Sequence, residues 1–187
     1  MQQHNRIFIM RHGESLANIE QIIVSDPAVG TLHYGLTAAG EQQVRSAAAA
    51  FPGDTGTIIY ASDFLRARET AAILQQAWHT EEVRFHAALR ERFFGVFDGR
   101  PDVNYHSVWK QDEEDTDYNE TGVEPPEAVA GRLNTLIREI DTTFTGRNIV
   151  LVSHGDCLQI LQAVRSGLAP RQHRRLPHLE VAEIREL

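Results

Sequence analysis

Residues 7–15 read Ile-Phe-Ile-Met-Arg-His-Gly-Glu-Ser, and this stretch decides the fold. Its four apolar residues predict a short buried strand, and the Arg-His-Gly that follows predicts a turn at the strand's end. Residues 148–156, Asn-Ile-Val-Leu-Val-Ser-His-Gly-Asp, repeat the design and lead into an apolar helix that ends near Gly167. If the two strands are parallel, His12 and His154 lie at the same edge of one sheet.

The elements between these two stretches alternate between strands and helices. Helices are expected over residues 37–51, with Thr37 as the N-cap, and over residues 62–78, with Ser62 and Asp63 as caps. Short strands are expected over residues 57–61 and 83–85. This alternation predicts an α/β fold, a three-layer α/β/α sandwich with a mostly parallel central sheet, and ligands at the carboxyl ends of its strands.

The second half of the chain is harder to classify from periodicity. Residues 91–99 indicate a turn-rich stretch, and residues 100–126 combine prolines with the acidic run 112–117, which favours a surface lid or insert over a buried element. An amphipathic helix is expected from Pro126 to residue 145. Residues 180–184 alternate like a final edge strand. The length of 187 residues suits a single domain over residues 1–187.

Composition excludes several classes of protein. The net charge of −8 and the pI near 5.6 give no basic face for nucleic acid or an anionic membrane. The single cysteine, Cys157, cannot close an internal disulfide, and its apolar surroundings predict a buried structural thiol. Met1 to Arg11 lacks the pattern of an export signal, so a soluble, cytoplasmic protein is expected.

The residues around the two histidines suit an anion. Gly13 and Gly155 allow sharp turns, and the helices that follow direct partial positive charge toward the strand ends. Arg11 precedes the first histidine, while Arg66 and Arg68 begin the helix after the second clear strand. Because one guanidinium group can bind two phosphate oxygens at once, this edge of the sheet is predicted to bind phosphate.

Five ordered segments carry a resemblance to a known family. They are Arg11-His-Gly-Glu-Ser-Leu-Ala-Asn18, Leu36-Thr-Ala-Ala-Gly40, Ala61-Ser-Asp-Phe-Leu-Arg-Ala-Arg-Glu-Thr-Ala71, Leu89-Arg-Glu-Arg-Phe-Phe-Gly95 with Asp98-Gly99, and Ser153-His-Gly155. Together they resemble the histidine phosphatase superfamily, which contains phosphoglycerate mutases and many phosphomonoesterases. The resemblance implies a phosphoglycerate mutase-like fold and selects Arg66 over Arg68 as the phosphate ligand.

The resemblance also implies a role for each site residue. His12 would be the nucleophile of a histidine acid phosphatase-type phosphomonoesterase, and Glu91 the general acid that protonates the leaving oxygen and then activates water. The residues that would bind the phosphate of a small phosphorylated substrate are Arg11, Asn18, Arg66 and His154. No cofactor is implied, and the histidine spacing favours no metal site.

Two alternatives of different kinds remain open. A phosphoglycerate mutase would carry extra basic residues, but this chain has Phe94 at the mutases' tyrosine position and Asp102 at a lysine position. A non-catalytic module that binds phosphorylated ligands would have lost catalytic residues, whereas the set named above is intact. Hydrolysis is therefore favoured, while sugar phosphates, nucleotide-like monoesters and phosphoproteins all stay possible substrates and the oligomeric state is undetermined.

Two further expectations concern the remaining charged and polar residues. The acidic run 112–117 is expected to be a solvated loop which, within a lid, would disfavour multiply anionic substrates. Six histidines outside the motifs are expected to be surface or locally hydrogen-bonded residues. They are His33, His79, His86, His106, His173 and His178.

Overall fold

The computed structural model describes residues 4–187. Residues 1–3, which belong to the predicted domain and to the segment that lacks an export-signal pattern, lie outside them. Its strands are β1 (Arg6–Arg11), β2 (Ile58–Ala61), β3 (Val83–Phe85), β4 (Asn148–Ser153) and β5 (Ile184–Glu186). Its helices are α1 (Leu16–Glu20), α2 (Pro27–Gly30), α3 (Ala38–Ala50), α4 (Leu65–Trp78), α5 (Tyr105–Glu113), α6 (Pro126–Thr143) and α7 (Gly155–Arg165). Among the described residues, no helix is both long and apolar enough to cross a membrane.

The five strands form one sheet in the order β3-β2-β4-β1-β5. All neighbours are parallel except β5, which runs antiparallel to β1 at the edge. The register aligns Arg11 with Ser153 and Ala61 with Val152, so β1, β2 and β4 end side by side. The mostly parallel sheet is confirmed, and both His-Gly turns leave it at the same edge.

Side chains of β1 alternate between two apolar layers, as the strand period of two requires. Ile7 and Ile9 belong to the core beneath α6 and α7, whereas Phe8 and Met10 belong to the core beneath α3 and α4. Ile9 and Met10 are both fully buried. Because helices cover both faces of the sheet, the predicted three-layer α/β/α sandwich is confirmed.

The ends of the long helices follow local sequence signals, with one exception. Thr37 caps α3 by accepting a hydrogen bond from the Gly40 N–H at 2.9 Å, and Pro126 begins α6, as predicted. The predicted Ser62-Asp63 cap of α4 is wrong, since that helix begins after Phe64. Asp63 instead pairs with Arg90 at 2.6 Å, so a long-range ion pair replaces the local cap.

Residues 100–126 are not the wholly surface excursion expected from their prolines and acids. They contain α5, whose Val108 and Asp112 are buried. Val108 joins a third apolar cluster with Ile23, Phe94 and residues 118 and 123, separate from the two cores beside the sheet. This small cluster anchors the segment over the sheet edge, which composition alone could not show.

The last strand lies further along the chain than residues 180–184. Ala182 has a positive φ of 59°, and its N–H donates to the carbonyl oxygen of Arg11 at 3.0 Å. The Glu183 N–H closes a turn onto the carbonyl of Glu180 at 3.1 Å. Because this turn interrupts the alternating pattern, pairing with β1 begins only at Ile184.

Candidate active site

A cavity of about 200 Å³ opens at the carboxyl ends of the parallel strands. Its inner end holds Arg11 and His12 from the end of β1, Arg66 from the first turn of α4, and Gly155 from the start of α7. Three elements distant in sequence therefore meet where α/β sheets ordinarily bind ligands.

The ring of His12 is held in one tautomer. Its Nδ1 lies 2.7 Å from the carbonyl oxygen of Gly13, which can only accept, so Nδ1 carries the proton. Its Nε2 accepts a hydrogen bond from Nε of Arg66 at 3.0 Å. Burial, and then the charges of Arg66 and Arg11, hold the pKa of His12 well below its usual value. His12 is therefore neutral, with a lone pair on Nε2.

Two guanidinium groups surround this nitrogen. Arg66 is buried and donates through Nη2 to the carbonyl of Val24 at 3.0 Å, while Arg11 donates through Nη1 to the carbonyl of Leu179 at 3.0 Å. Within residues 4–187, Nε of Arg11 and Nη1 of Arg66 are buried without a hydrogen-bond partner. The two arginines thus keep free donors for an anion, whereas Arg68 is exposed.

The second histidine packs beside His12 but is not among the described residues that line the cavity. His154 is fully buried, its ring centroid lies 5.2 Å from that of His12, and its Nε2 lies 2.9 Å from Oγ of Ser62. Its Nδ1 is a further buried atom without a partner in the described part of the chain. Burial, followed by the charges of Arg66 and His12, keeps the pKa of His154 well below its usual value.

Glu91 lies beside the two histidines. Its carboxyl group is 3.9 Å from Nδ1 of His154 and accepts a hydrogen bond from the backbone N–H of Arg92 at 2.9 Å. Burial raises the pKa of Glu91 to about 7, with Arg66 opposing the shift and the charge of Asp156 adding to it. A carboxyl group with such a pKa can give or take a proton near neutral pH.

Asn18 lies in the first turns of α1 and lines the cavity. Its Oδ1 accepts hydrogen bonds from the N–H and the hydroxyl of Ser15, at 3.0 and 2.9 Å. Because the oxygen is engaged, the amide N–H groups of Asn18 are the donors that a ligand oxygen can use.

A close approach between two glycines sets the shape of the first His-Gly turn. A Cβ atom on Gly13 would lie 2.6 Å from the carbonyl oxygen of Gly40 in α3, which is too close for any side chain. Only glycine lets the loop after β1 pack against α3 in this position, and that packing fixes the backbone beside His12.

The whole chain was compared with known proteins. The family model described as "Histidine phosphatase superfamily (branch 1)" matches residues 7–187. The chain belongs to this superfamily. It is 30% identical over 179 residues to the Escherichia coli O1:K1 protein named "Probable phosphoglycerate mutase GpmB", an alignment that covers 91% of this chain and 79% of that one.

Solved structures of a hydrolase and of a phosphatase share the fold. The structure named "Mycobacterial hydrolase 1" is 25% identical with a TM-score of 0.80, covering 96% of this chain and 89% of that one. A mycobacterial glucosyl-3-phosphoglycerate phosphatase is also 25% identical, with a TM-score of 0.79 and coverage of 96% and 87%. The relatives therefore include both a named mutase and a named phosphatase.

One fully buried charged residue has a role that was not predicted from sequence. Arg92 is fully buried and donates to both carboxylate oxygens of Asp112 at 2.8 Å and to Asp156 at 3.0 Å. The other oxygen of Asp156 accepts from Nε1 of Trp109 at 2.9 Å. Arg92 thereby ties α5 to the first turn of α7. The only hint in the sequence was an arginine beside Glu91.

Two of the six histidines that were expected to be surface or locally hydrogen-bonded residues have further contacts. His173 is fully buried, and its Nε2 lies 3.5 Å from Asp156 and 3.9 Å from Asp112. His178 lines the cavity, with Nε2 2.6 Å from Nη1 of Arg11. The expectation for these two was incomplete because His173 lies in a short 3₁₀ helix and His178 in the irregular stretch before β5, and neither has a periodic pattern that indicates burial.

The prediction that the acidic run 112–117 is a solvated loop is wrong at Asp112. Asp112 is 1% exposed and neutralised by Arg92, so it is not part of a solvated loop, and residues 113–117 are exposed. None of residues 112–117 lines the cavity. Glu91, Asp102 and Asp156 are the carboxylates that do.

Two observations bear on metals and thiols. Within residues 4–187, no cluster of three or more histidine, cysteine, aspartate or glutamate side chains is arranged to hold a metal ion. Cys157 is fully buried, as predicted, and its thiol donates to the carbonyl of Arg90 at 3.1 Å. Burial raises the pKa of the thiol, which keeps it protonated and unreactive.

Proposed function

We propose that the protein is a metal-independent phosphomonoester hydrolase that passes the phosphoryl group through His12. One observation carries the proposal. The lone pair of His12 Nε2 lies close to buried donors of Arg11 and Arg66 that have no partner within residues 4–187, and the buried Nδ1 of His154 has no partner there either. Unpaired buried donors are costly, and the oxygens of a phosphoryl group would satisfy them.

In the first step, Nε2 of His12 attacks phosphorus in line with the ester oxygen. The N–P bond forms as the P–O bond to the leaving group breaks, and the proton of Glu91 goes to the departing oxygen. Nε of Arg66, which donates to Nε2 of His12, is redirected to a phosphoryl oxygen. The two guanidinium groups spread over the charge of the transferring group, which is the main source of catalysis in phosphoryl transfer.

In the second step, water replaces the leaving group. The Glu91 carboxylate removes a proton from water, the new O–P bond forms, and the N–P bond breaks to release inorganic phosphate and neutral His12. A pKa of about 7 suits both directions of proton transfer, because neither the acid nor the base form is strongly disfavoured. The hydrogen bond to Gly13 holds the ring in place throughout.

Phosphoglycerate mutase activity is the second candidate, supported by the name of the Escherichia coli relative. A mutase must hold two anionic groups on one substrate. The lining of the cavity offers Arg11 and Arg66 as its arginines, and Asp102 faces the same space. The similarity to a mycobacterial glucosyl-3-phosphoglycerate phosphatase, also solved with VO3, supports hydrolysis of a small phosphorylated substrate.

The test is phosphate release from a panel of phosphomonoesters with EDTA present, alongside a mutase assay on 3-phosphoglycerate. Release that is unchanged by EDTA is the expected result. Release that depends on added metal would contradict metal independence. Interconversion of phosphoglycerates without release would establish the mutase instead, and neither activity would leave a module that binds phosphorylated ligands.

A further inference from the structure

The charged residues of the cavity divide into a cationic inner end and an acidic rim. Arg11 and Arg66 carry one positive charge each, which together match the roughly two negative charges of a phosphomonoester at neutral pH. The other charged lining residues apart from histidines are Glu91, Asp102 and Asp156. Within residues 4–187, no further arginine and no lysine lines this space, so a second anionic group would find no unused guanidinium or ammonium there.

The three rim carboxyl groups differ in how much free charge they carry. Asp156 accepts hydrogen bonds from Arg92 and Trp109 and lies 3.5 Å from His173, while Glu91 titrates near neutral pH. Asp102 is only partly buried, and its backbone N–H binds the carbonyl of Gln21 at 2.8 Å. Its carboxylate has no ion-pair partner among the described residues, and it therefore faces the cavity as an uncompensated negative charge.

We propose that the site takes small monophosphates whose leaving group carries no second negative charge, and that Asp102 is the residue that excludes the charged ones. The substrate class is thus a neutral polyol or sugar monophosphate, or an amine-bearing one. The volume of about 200 Å³ is below the roughly 300 Å³ at which drug-sized pockets begin, which favours small esters. This inference rests on the proposed hydrolysis.

Glycerol 3-phosphate and 3-phosphoglycerate form a matched pair for the test, because they differ chiefly by a hydroxymethyl group in place of a carboxylate. We expect kcat/KM to favour glycerol 3-phosphate by about tenfold or more. Asp102→Asn should reduce that ratio severalfold. Glu113→Gln, which removes the same charge from the exposed end of α5, is the control and should leave the ratio unchanged.

The outcomes separate the inference from the function on which it rests. Equal kcat/KM for the two esters in the unmodified protein, or an unchanged ratio in Asp102→Asn, would overturn the charge selection while hydrolysis stands. No phosphate release from either ester or from p-nitrophenyl phosphate would overturn the proposed hydrolysis and the inference with it.

His178 supports a second inference that does not depend on Asp102. Its Nε2 lies 2.6 Å from Nη1 of Arg11, and a guanidinium group can only donate, so Nε2 holds a lone pair and Nδ1 carries the proton of the neutral ring. A Cβ on Gly155 would lie 3.3 Å from Cε1 of His178 and 3.5 Å from Nε of Arg11. The ring is therefore packed between Arg11 and the turn that begins α7.

The structure assigns His178 as a positioning residue that orients Arg11 toward the phosphate by accepting its hydrogen bond. Without that acceptor, Arg11 would keep only the carbonyl of Leu179 as a fixed partner for Nη1.

Inorganic phosphate binding, measured by calorimetry, tests this role without requiring turnover. His178→Phe keeps a ring but loses the acceptor, and we expect about tenfold weaker binding. His178→Gln places an amide oxygen near Nε2 and should recover most of the affinity. Equal affinity in His178→Phe and the unmodified protein, or equal losses in both variants, would overturn the assignment.

The tautomer offers a measurement that needs no substitution. In protein labelled with ¹⁵N histidine, the resonances of His178 should show a protonated Nδ1 and an unprotonated Nε2. A protonated Nε2 would contradict the hydrogen bond from Arg11 and remove the basis of the assignment, even if both variants failed to fold.

Discussion

The two ends of the cavity are built in different ways. The inner end is made of Arg11, His12 and Arg66, with His154 packed beside His12. These residues lie at or just after the ends of adjacent parallel strands. The outer end, made of Glu91, Asp102, Tyr105, Trp109 and His178, lies on irregular segments and α5. The register of the sheet brings the inner groups together. The positions of the outer groups depend on ion pairs between buried residues that are far apart in sequence.

Arg92 shows what holds the outer end in place. It connects Asp112 of α5 with Asp156 of α7, while Trp109 hydrogen-bonds to Asp156 and stacks on Tyr105 at a centroid distance of 5.4 Å. The geometry of the outer end thus depends on a few polar contacts, whereas the inner end rests on a backbone ladder. Substitutions at the inner end should therefore mainly reduce activity, whereas substitutions at the outer end should mainly reduce stability.

The largest effect is expected at the inner end. His12→Ala removes the proposed nucleophile, and phosphate release should fall by roughly four orders of magnitude or more with little change in melting temperature. His33→Ala, which alters an exposed histidine, is the matched control and should retain activity. Steady-state release of phosphate measures both. Retained turnover in His12→Ala would refute the nucleophile assignment.

At the outer end, Arg92→Met should mainly destabilise the fold. It leaves Asp112 and Asp156 buried without their cation, and removing one partner of a buried pair costs about 3–5 kcal/mol. Chemical denaturation measures the loss. Arg84→Met, at an exposed arginine, should cost less than about 1 kcal/mol. Comparable losses in the two variants would show that the Arg92 contacts do not hold the outer end.

Glu91→Gln separates proton transfer from phosphate binding. The variant should lose about 10²–10⁴-fold in kcat/KM for an alkyl phosphate, and much less for p-nitrophenyl phosphate, whose leaving group needs no proton. The ratio kcat/KM reports formation of the phosphohistidine and not its hydrolysis, which is the same for both esters. The variant's Kd for inorganic phosphate should change little. Equal losses on the two esters would mean that Glu91 acts by position or charge and not as an acid.

The pH profile follows from the direction of two pKa shifts. Glu91 must be protonated to act as the acid, and its pKa is raised to about 7, so kcat/KM for alkyl phosphates should fall as the pH rises above about 7. His12 must be neutral, and because its pKa is lowered, the acid limb should lie below its usual range. A profile that rises through pH 7 would contradict these roles.

The smallest effect is expected for Asn18, which is exposed and neutral. Asn18→Ala removes one neutral hydrogen bond to substrate and should raise KM about three- to tenfold, with kcat nearly unchanged. Ile19→Ala, at a residue that is 60% exposed on the same helix, should change neither constant. A large fall in kcat would instead give Asn18 a part in the transition state.

The sequence predicted the inner end of the cavity better than the outer end. The sheet and the meeting of His12 with His154 followed from two apolar runs that each end in His-Gly. The family motif selected Arg66, which is buried beside His12, over exposed Arg68. Local patterns could not reveal that Asp112 is neutralised by Arg92, twenty residues earlier, because ion pairing over such distances depends on tertiary packing.

The end of the chain illustrates the same limit. The alternation in residues 180–184 predicted a strand, but the left-handed turn at Ala182 delays pairing until Ile184. His178, just before that turn, contacts Arg11 across 167 positions in sequence. Neither feature has a periodic signature, and both depend on how the chain returns to the edge of the sheet.

The proposed covalent phosphohistidine on His12 is sensitive to acid, so the most direct test is to trap it in alkali. Glu91→Gln protein, in which hydrolysis of the intermediate is slowed, is mixed with p-nitrophenyl phosphate, quenched in alkali and digested. It should yield one phosphorylated peptide, with the phosphoryl group on His12, that is absent when His12→Ala is also present. Phosphate release that proceeds with no phosphorylated peptide at any time of quenching, or with the group on another residue, would contradict the account.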